Sequence, residues 1–218
     1  MTNRNTLKLL FEDEHLLAFE KPAGLASVPA PNIPPYKTLT GWVRAWVVTH
    51  GKEFKPYPLH RLDRDTSGVI LFGKFPRDRE KLESIFGAPE TEKTYLALVK
   101  WVPKKDEDTI SIPLEARTAH VKVPAITHYK VLKKLDNISL LEVKIETGRK
   151  HQIRKHLSMI GNPLLLDRLY GDRNFDMHYQ RKHKGKGKFF LHAAAISFRH
   201  PFTGEAVKIT SEIEEGDV

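Results

Sequence analysis

The densest chemistry in the chain lies in nine consecutive residues, His60-Arg61-Leu62-Asp63-Arg64-Asp65-Thr66-Ser67-Gly68. Five of the nine can carry charge, and the run leads straight into Val69-Ile70-Leu71-Phe72, an apolar strand. Carboxylates are almost never buried without a partner, so Asp63 and Asp65, held where a buried strand begins, need cations, water or a catalytic task. A glycosidase pair needs two carboxyls converging on one bond, which an i, i+2 pair on an extended segment reaches only by local bending. A metal site from His60, Asp63, His151 and His156 lacks the usual His-Glu spacing or acidic clustering. A single reactive aspartate beside an arginine is coherent, because a guanidinium favours the ionised carboxylate and orients it through two hydrogen bonds. Asp63 is the candidate nucleophile and Arg154 the candidate cation.

Arg154 belongs to a second informative stretch, Glu146-Thr147-Gly148-Arg149-Lys150-His151-Gln152-Ile153-Arg154-Lys155-His156-Leu157. With Thr147 as cap, the spacing predicts a helix over 147–160 that buries Ile153, Leu157 and Ile160. Lys150, His151 and Arg154 then cluster on a neighbouring face. Such a helix start, with added cations, suits phosphate or carboxylate, and the competing reading is a solvated basic face.

Several elements must position these residues. Residues 7–11 and 15–19 read as strands around the polar turn Glu12-Asp13-Glu14. Lys21-Pro22-Ala23-Gly24-Leu25 is a shaped loop that projects Lys21 from a strand end, since proline fixes one backbone angle and glycine admits a positive one. After a proline-rich connection over 29–36, Leu39, Trp42, Val43, Trp46 and Val47 recur at helical spacing over 38–50, and the tryptophans read as core. Residues 76–86 form an amphipathic helix stopped by Gly87. Residues 93–99 read as a strand with Lys93, Tyr95, Ala97 and Val99 on one face. Lys104 to Asp108 reads as a charged turn before a short edge strand through Ile110, Ile112 and Leu114. Strands follow over 125–132, 138–145, 189–198 and 206–209. Between them, residues 181–188 carry five formal positive charges among flexible glycines: a phosphate-contacting loop or a solubilising insertion.

The 218 residues fit one large domain or two small ones, and a 40% hydrophobic content supplies a core. The 36 Lys and Arg exceed the 27 Asp and Glu, a net +9 that favours a polyanionic partner without identifying it. With no cysteine, disulfides, thiol catalysis and thiolate zinc sites are excluded. The first residues lack the apolar region of a signal peptide and no later run reaches membrane-spanning length, so the expectation is a soluble cytoplasmic protein with no membrane partner.

From Leu16 to Ile209 the chain resembles the RluA family of RNA pseudouridine synthases. The matching motifs, in family order, are Lys21-Pro22-Ala23-Gly24-Leu25, the 60–68 segment, Lys93-Thr94-Tyr95-Leu96-Ala97, Thr147-Gly148-Arg149-Lys150-His151-Gln152-Ile153-Arg154, Leu191-His192-Ala193 and His200-Pro201-Phe202-Thr203-Gly204. The resemblance implies a single α/β catalytic domain of the α+β type, a mixed, largely antiparallel sheet with a central cleft. It implies that Asp63 attacks the ribose C1′ or the uracil ring of a flipped uridine in rRNA or tRNA, and that the base is rejoined through C5. It also implies that Tyr95 lies against the base and removes the C5 proton, that Arg154 pairs with the aspartate, that Ile153 packs on the uracil, and that Arg61 fills the gap in the RNA stack. His60, Arg64, Lys150 and His151 are further expected RNA contacts, with Lys21 and Arg149 as rim or scaffold cations. No metal or small-molecule cofactor is expected, because the isomerisation neither gains nor loses atoms, and a monomeric state is a separate expectation.

Two departures from the family pattern stand out. Only about a dozen residues precede the core, so an S4-type RNA-binding domain is expected to be absent. Leu166 stands before Asp167 where the family commonly places glycine. A catalytically silent RNA-binding or chaperone module of the same shape, and a nucleoside hydrolase releasing uracil, are the alternatives.

Overall fold

The structure, a computed structural model, describes residues 7–116, 121–185 and 187–213. Its strands are β1 (Leu9–Glu12), β2 (Leu16–Lys21), β3 (Tyr57–Pro58), β4 (Ser67–Gly73), β5 (Glu92–Lys100), β6 (Glu107–Ile110), β7 (Leu114–Glu115), β8 (Lys122–Val123), β9 (Thr127–Leu135), β10 (Ile138–Ile145), β11 (Leu191–Arg199) and β12 (Ala206–Thr210). The helices are α1 (Leu39–Thr49), α2 (Arg79–Glu83), α3 (Gln152–Met159) and α4 (Arg173–Lys182). Within what the sequence reading takes as one catalytic domain, the chain forms two compact units, Met1–Glu92 with Ala193–Glu212 and Lys93–His192 with Ile213–Val218.

In the first unit β2 pairs antiparallel with β1 and with β4, and β11 pairs antiparallel with β12. The run Val69 to Phe72 is apolar throughout because its strand is covered on both faces. Val69 and Leu71 join Leu16, Leu82, Ile85 and Phe198 in one cluster, whereas Ile70 and Phe72 join Leu17, Phe19, Leu39, Val43 and Val47 of α1 in another. Both faces bury aliphatic side chains, each worth about 1.5–3 kcal/mol when withdrawn from water. Trp46 packs edge-on against Phe19 at the margin of this cluster, whereas Trp42, also read as core, is half-buried outside it with Nε1 donating to Tyr36 O. Thr38 caps α1, its hydroxyl accepting from Gly41 N–H.

In the second unit β5, β10, β9 and β6 form an antiparallel sheet, with Tyr95 opposite Val143. Ile153 and Leu157 of α3 pack on one face with Ala97, Val99, Leu141 and Val143, and Phe175 and Tyr179 of α4 lie against Leu98, Ile138, Leu165 and Phe190 on the other.

Three expectations change here. The charged stretch read as a turn ends in β6, whose polar residues pair with β9 at an edge, while Ile112 lies outside any strand and is exposed. Thr147 does not cap α3, which starts at Gln152 after His151 in a left-handed conformation, φ +55°. Finally, α4 occupies a stretch to which the sequence reading assigned no element and takes in Arg181 and Lys182 of the basic segment; its first turn is held by Asp172, whose carboxylate accepts from Asn174 and Phe175 N–H. Among the described residues no helix is long and apolar enough to cross a membrane.

Candidate active site

Asp63 is half-buried on the loop that enters β4, and the neighbours on either side of it are tied down. The buried Ser27 hydroxyl donates to Leu62 O (2.7 Å) and accepts from Leu62 N–H (3.1 Å). Arg64 O accepts from Gly24 N–H (2.9 Å) and from the Lys21 ammonium (2.8 Å), and Arg64 Nε donates back to Gly24 O (3.0 Å). Ser27 is itself fixed by α1, since Ser27 O accepts from Thr40 N–H and Oγ1. The 21–27 loop is thus a clamp whose two jaws grip residues 62 and 64 and so hold the backbone on either side of Asp63.

Lys21 belongs to the scaffold half of its expectation. Because β2 extends to residue 21, the side chain turns inward; it is 0% exposed, and its ammonium donates to Pro22 O, Leu25 O and Arg64 O. It therefore has no surface for an RNA contact. Burial pushes its pKa down to about 7 against the opposing pull of the Asp65 and Asp63 carboxylates. Gly68 closes the loop with φ +107°, and a Cβ there would stand 2.2 Å from Ala193 O, so both the conformation and the close approach demand glycine.

The other charged members of the segment divide. Arg61, Arg64 and Asp65 are exposed. His60, expected at the RNA, instead faces inward: Leu71 N–H donates to its Nε2 (2.9 Å) and its ring lies against Phe86. That bond continues the ladder begun by Leu59 N–H to Leu71 O.

Tyr95, Ile153 and Arg154 belong to the second unit. Tyr95 is half-buried on β5, on the same strand face as Lys93, whose ammonium burial pushes below its ordinary pKa. Ile153 is 5% exposed and packs in the core beside Leu157. Arg154, 7% exposed, makes a two-pronged bond to Asp167, Nε to Oδ2 and Nη2 to Oδ1, both 2.7 Å. Its guanidinium carbon lies 5.2 Å from the Tyr170 ring centre and 5.6 Å from that of Phe189. Burial alone would raise the Asp167 carboxyl, but hydrogen bonds from Arg154 and from Leu169 and Tyr170 N–H outweigh it and hold the group below the usual carboxylate range. Arg154 is therefore a pre-oriented buried cation and not one of an exposed basic cluster.

The loop before α3 is organised by Gln152, which the sequence reading assigned no role. Its Oε1 accepts from Thr147 Oγ1 and Arg149 N–H, while its Nε2 donates to Ile126 O and Thr127 Oγ1. His151 Nδ1 lies 3.0 Å from the Tyr170 hydroxyl. Arg149 and Lys150 are exposed, and Arg149 Nε donates to Pro124 O. His156 is fully buried with both ring nitrogens engaged, Nδ1 with Thr127 Oγ1 and Nε2 with Ile112 O, which removes it from any metal set. Burial pushes its pKa down, partly opposed by the bond to Ile112 O. Among the described residues no group of three or more His, Asp or Glu is arranged to hold a metal ion.

Sequence reading missed Ser27 and Asp167 because their roles depend on partners 35 and 13 residues away. Leu166 did carry a visible signal. Its φ is +59°, the left-handed region where glycine is at ease, which accounts for glycine at the matching family position. Here the leucine side chain packs beside Leu165 and Phe190, and Leu166 N–H donates to Asp176 Oδ1.

The fold is one shared with pseudouridine synthases. Two solved human structures, RNA Pseudouridylate Synthase Domain Containing 4 and Domain Containing 1, superpose with TM-scores of 0.77 and 0.76 at 22% and 21% identity, covering 94% and 98% of this chain and 88% and 86% of theirs. Ribosomal large subunit pseudouridine synthase C of Escherichia coli K12 is 33% identical over 95% of this chain and 67% of its own length, and the uncharacterized RNA pseudouridine synthase YhcT of Bacillus subtilis is 33% identical over 92% and 67%. The family model for RNA pseudouridylate synthase matches residues 15–159. The chain belongs to the RNA pseudouridylate synthase family, and it is an isomerase acting on RNA.

Proposed function

We propose that this enzyme converts uridine to pseudouridine in large-subunit ribosomal RNA, with Asp63 as the nucleophile. The observation that carries the reading is the clamp: the backbone on both sides of one half-buried carboxylate is fixed by Ser27, Lys21 and Gly24, an investment expected where a reacting atom must be aimed. The target class rests on the E. coli relative, which is named for the large ribosomal subunit and is similar over nearly the whole chain.

In the proposed sequence the uridine leaves the RNA stack at a cost of a few kcal/mol, with Arg61 occupying the gap. The Asp63 carboxylate attacks C1′ or the uracil ring as the N1–C1′ bond breaks. The base turns, C5 bonds to C1′, and Tyr95 assists removal of the C5 proton while N1 ends with one, so no atom is gained or lost. Arg154, held in orientation by Asp167, supplies positive charge near the developing anion. Ile153 offers apolar contact to the base, and Arg64, Arg149, Lys150 and His151 are assigned to the RNA rim.

The test is to incubate the purified chain with unmodified transcripts of large-subunit rRNA, small-subunit rRNA and tRNA and to map pseudouridine in each. Pseudouridine at discrete large-subunit positions is expected. Product only in tRNA would overturn the target class; free uracil would favour a hydrolase, and RNA binding without product a silent module.

A further inference from the structure

Lys100, the last residue of β5, is followed by Trp101, whose φ of +60° lies in the left-handed region. A bulky residue there carries about 1–2 kcal/mol of strain, held in place here by Trp101 N–H to Asn137 O and by Ser139 Oγ to Trp101 O. The strained backbone directs the indole outward, leaving the residue 52% exposed. The other two tryptophans of the chain lie at 42 and 46 on α1.

The underside of the indole is prepared. The Lys100 ammonium sits 3.6 Å from the ring centre, is bonded to Asp172 at 2.5 Å and lies 5.1 Å from the Phe175 ring. The ring stands edge-on to Phe175 at 6.2 Å, and an aromatic series continues along α4 through Tyr179 to His183. The same helix and its tail expose Arg173, Arg181, Lys182 and Lys184, of which Lys182 pairs with Asp136; Lys186 lies outside the described residues. Trp101 and Arg173 both line an open cavity of about 570 Å³ that extends to Pro163 and Tyr170. Neither Trp101 nor Arg173 has a part in the chemistry assigned to Asp63.

We propose that Trp101 is a stacking platform for an unpaired nucleobase of the RNA substrate, with an adjoining phosphate held by Arg173 at the start of α4. An exposed aromatic face beside a track of cations is what single-stranded nucleic acid requires, because every base has a π-face and every linkage a negative charge. A cation beneath the indole fixes that ring and leaves its outer face for the ligand. The chain's net +9, with Arg173 exposed on the cavity and Arg181, Lys182 and Lys184 exposed at the far end of α4, favours a polyanion. This inference rests on the reading that the chain binds RNA, and it locates a contact apart from the flipped uridine.

The test uses the full chain and a fluorescein-labelled twelve-nucleotide oligouridylate, with an RNA duplex of the same length as control. Trp101→Ala is expected to raise Kd for the oligouridylate by about 5- to 100-fold and to affect the duplex little, whereas Trp101→Phe stays within roughly threefold of the parent. Since Trp101→Ala also removes packing on Phe175, the parent gives an independent readout. The fluorescence lost in Trp101→Phe reports Trp101, and oligouridylate is expected to shield that component from acrylamide. Unchanged affinity in Trp101→Ala, or a Trp101 component equally quenched with and without RNA, overturns the platform. Pseudouridine mapping on the same preparations separates the claims. Product formation with Trp101 irrelevant to binding removes only the platform, and Trp101-dependent binding with no product from any transcript removes only the functional reading.

Discussion

Replacing Lys21 with methionine tests the clamp, because it weakens the jaw at Arg64, which keeps its two bonds to Gly24, and preserves the buried volume. Two opposed terms set the stability change at pH 7. The three carbonyl oxygens of Pro22, Leu25 and Arg64 lose a donor, at about 1–2 kcal/mol each. Against this, the charged amine no longer has to be buried: a pKa lowered from 10.5 to about 7 corresponds to roughly 5 kcal/mol disfavouring the ammonium. The terms nearly cancel, so the variant is expected to lie within about 2 kcal/mol of the parent, or roughly 4–8 °C in Tm for a chain of this size. The pH dependence separates them sharply. The folded pKa is below the unfolded one, so between pH 7 and pH 10 the unfolded chain holds a proton that the folded chain has released, and parental stability rises with pH. The gain from this group between pH 7 and pH 9 is about 2 kcal/mol; Lys21→Met lacks it. Activity should respond differently again, because Arg64 then keeps only its bonds to Gly24 and the Asp63 loop is held less firmly, and a misplacement near 1 Å costs on the order of 10²-fold in rate. Urea melts at pH 7 and pH 9, with turnover on a transcript, provide the assay. Parallel pH profiles for parent and variant, or full turnover in the variant, would refute the reasoning.

Gly68→Ala is expected to cost at least about 3 kcal/mol, since a Cβ would meet Ala193 O at 2.2 Å in a conformation with φ +107°; thermal denaturation followed by circular dichroism measures it. Asp167→Asn leaves the Arg154 guanidinium buried without its paired carboxylate, so a loss of about 3–5 kcal/mol in urea unfolding is expected, with turnover falling more than RNA affinity. His156 has a folded pKa below its unfolded value near 6.5, so its contribution is complete above that pH and declines as pH falls below it. The stability of the parent between pH 6.5 and pH 5 should therefore fall more steeply than that of His156→Gln.

How far the fold was legible depended on where the information lay. The apolar run 69–72, the aromatic stripe of α1 and the alternation in β10 are local patterns, and each formed the element its period predicts. Helix α4 escaped because its exposed face is polar and basic, so the run merged with the charged segment after it. Its signals were the Asp172 cap and the Phe175 and Tyr179 pair at i, i+4. At the site, Asp63 stood out as a charge at the edge of a core. Lys21 was read as projecting outward because strand length cannot be read to the residue, and extending β2 to position 21 turned the side chain into the interior. The contributions of Ser27, Gln152 and Asp167 had no local signature at all. Each satisfies a backbone or guanidinium group brought to it by tertiary packing, and a hydroxyl, amide or carboxylate in sequence does not reveal its partner.

The most direct measurement of the central claim is single-turnover pseudouridine formation on a large-subunit rRNA transcript by the parent and by Asp63→Asn, a change that keeps the side-chain shape and removes the nucleophilic carboxylate. The account predicts that the asparagine variant binds the transcript with an affinity within about threefold of the parent and forms product at least about 10³-fold more slowly. Turnover by Asp63→Asn at a rate near that of the parent would contradict it.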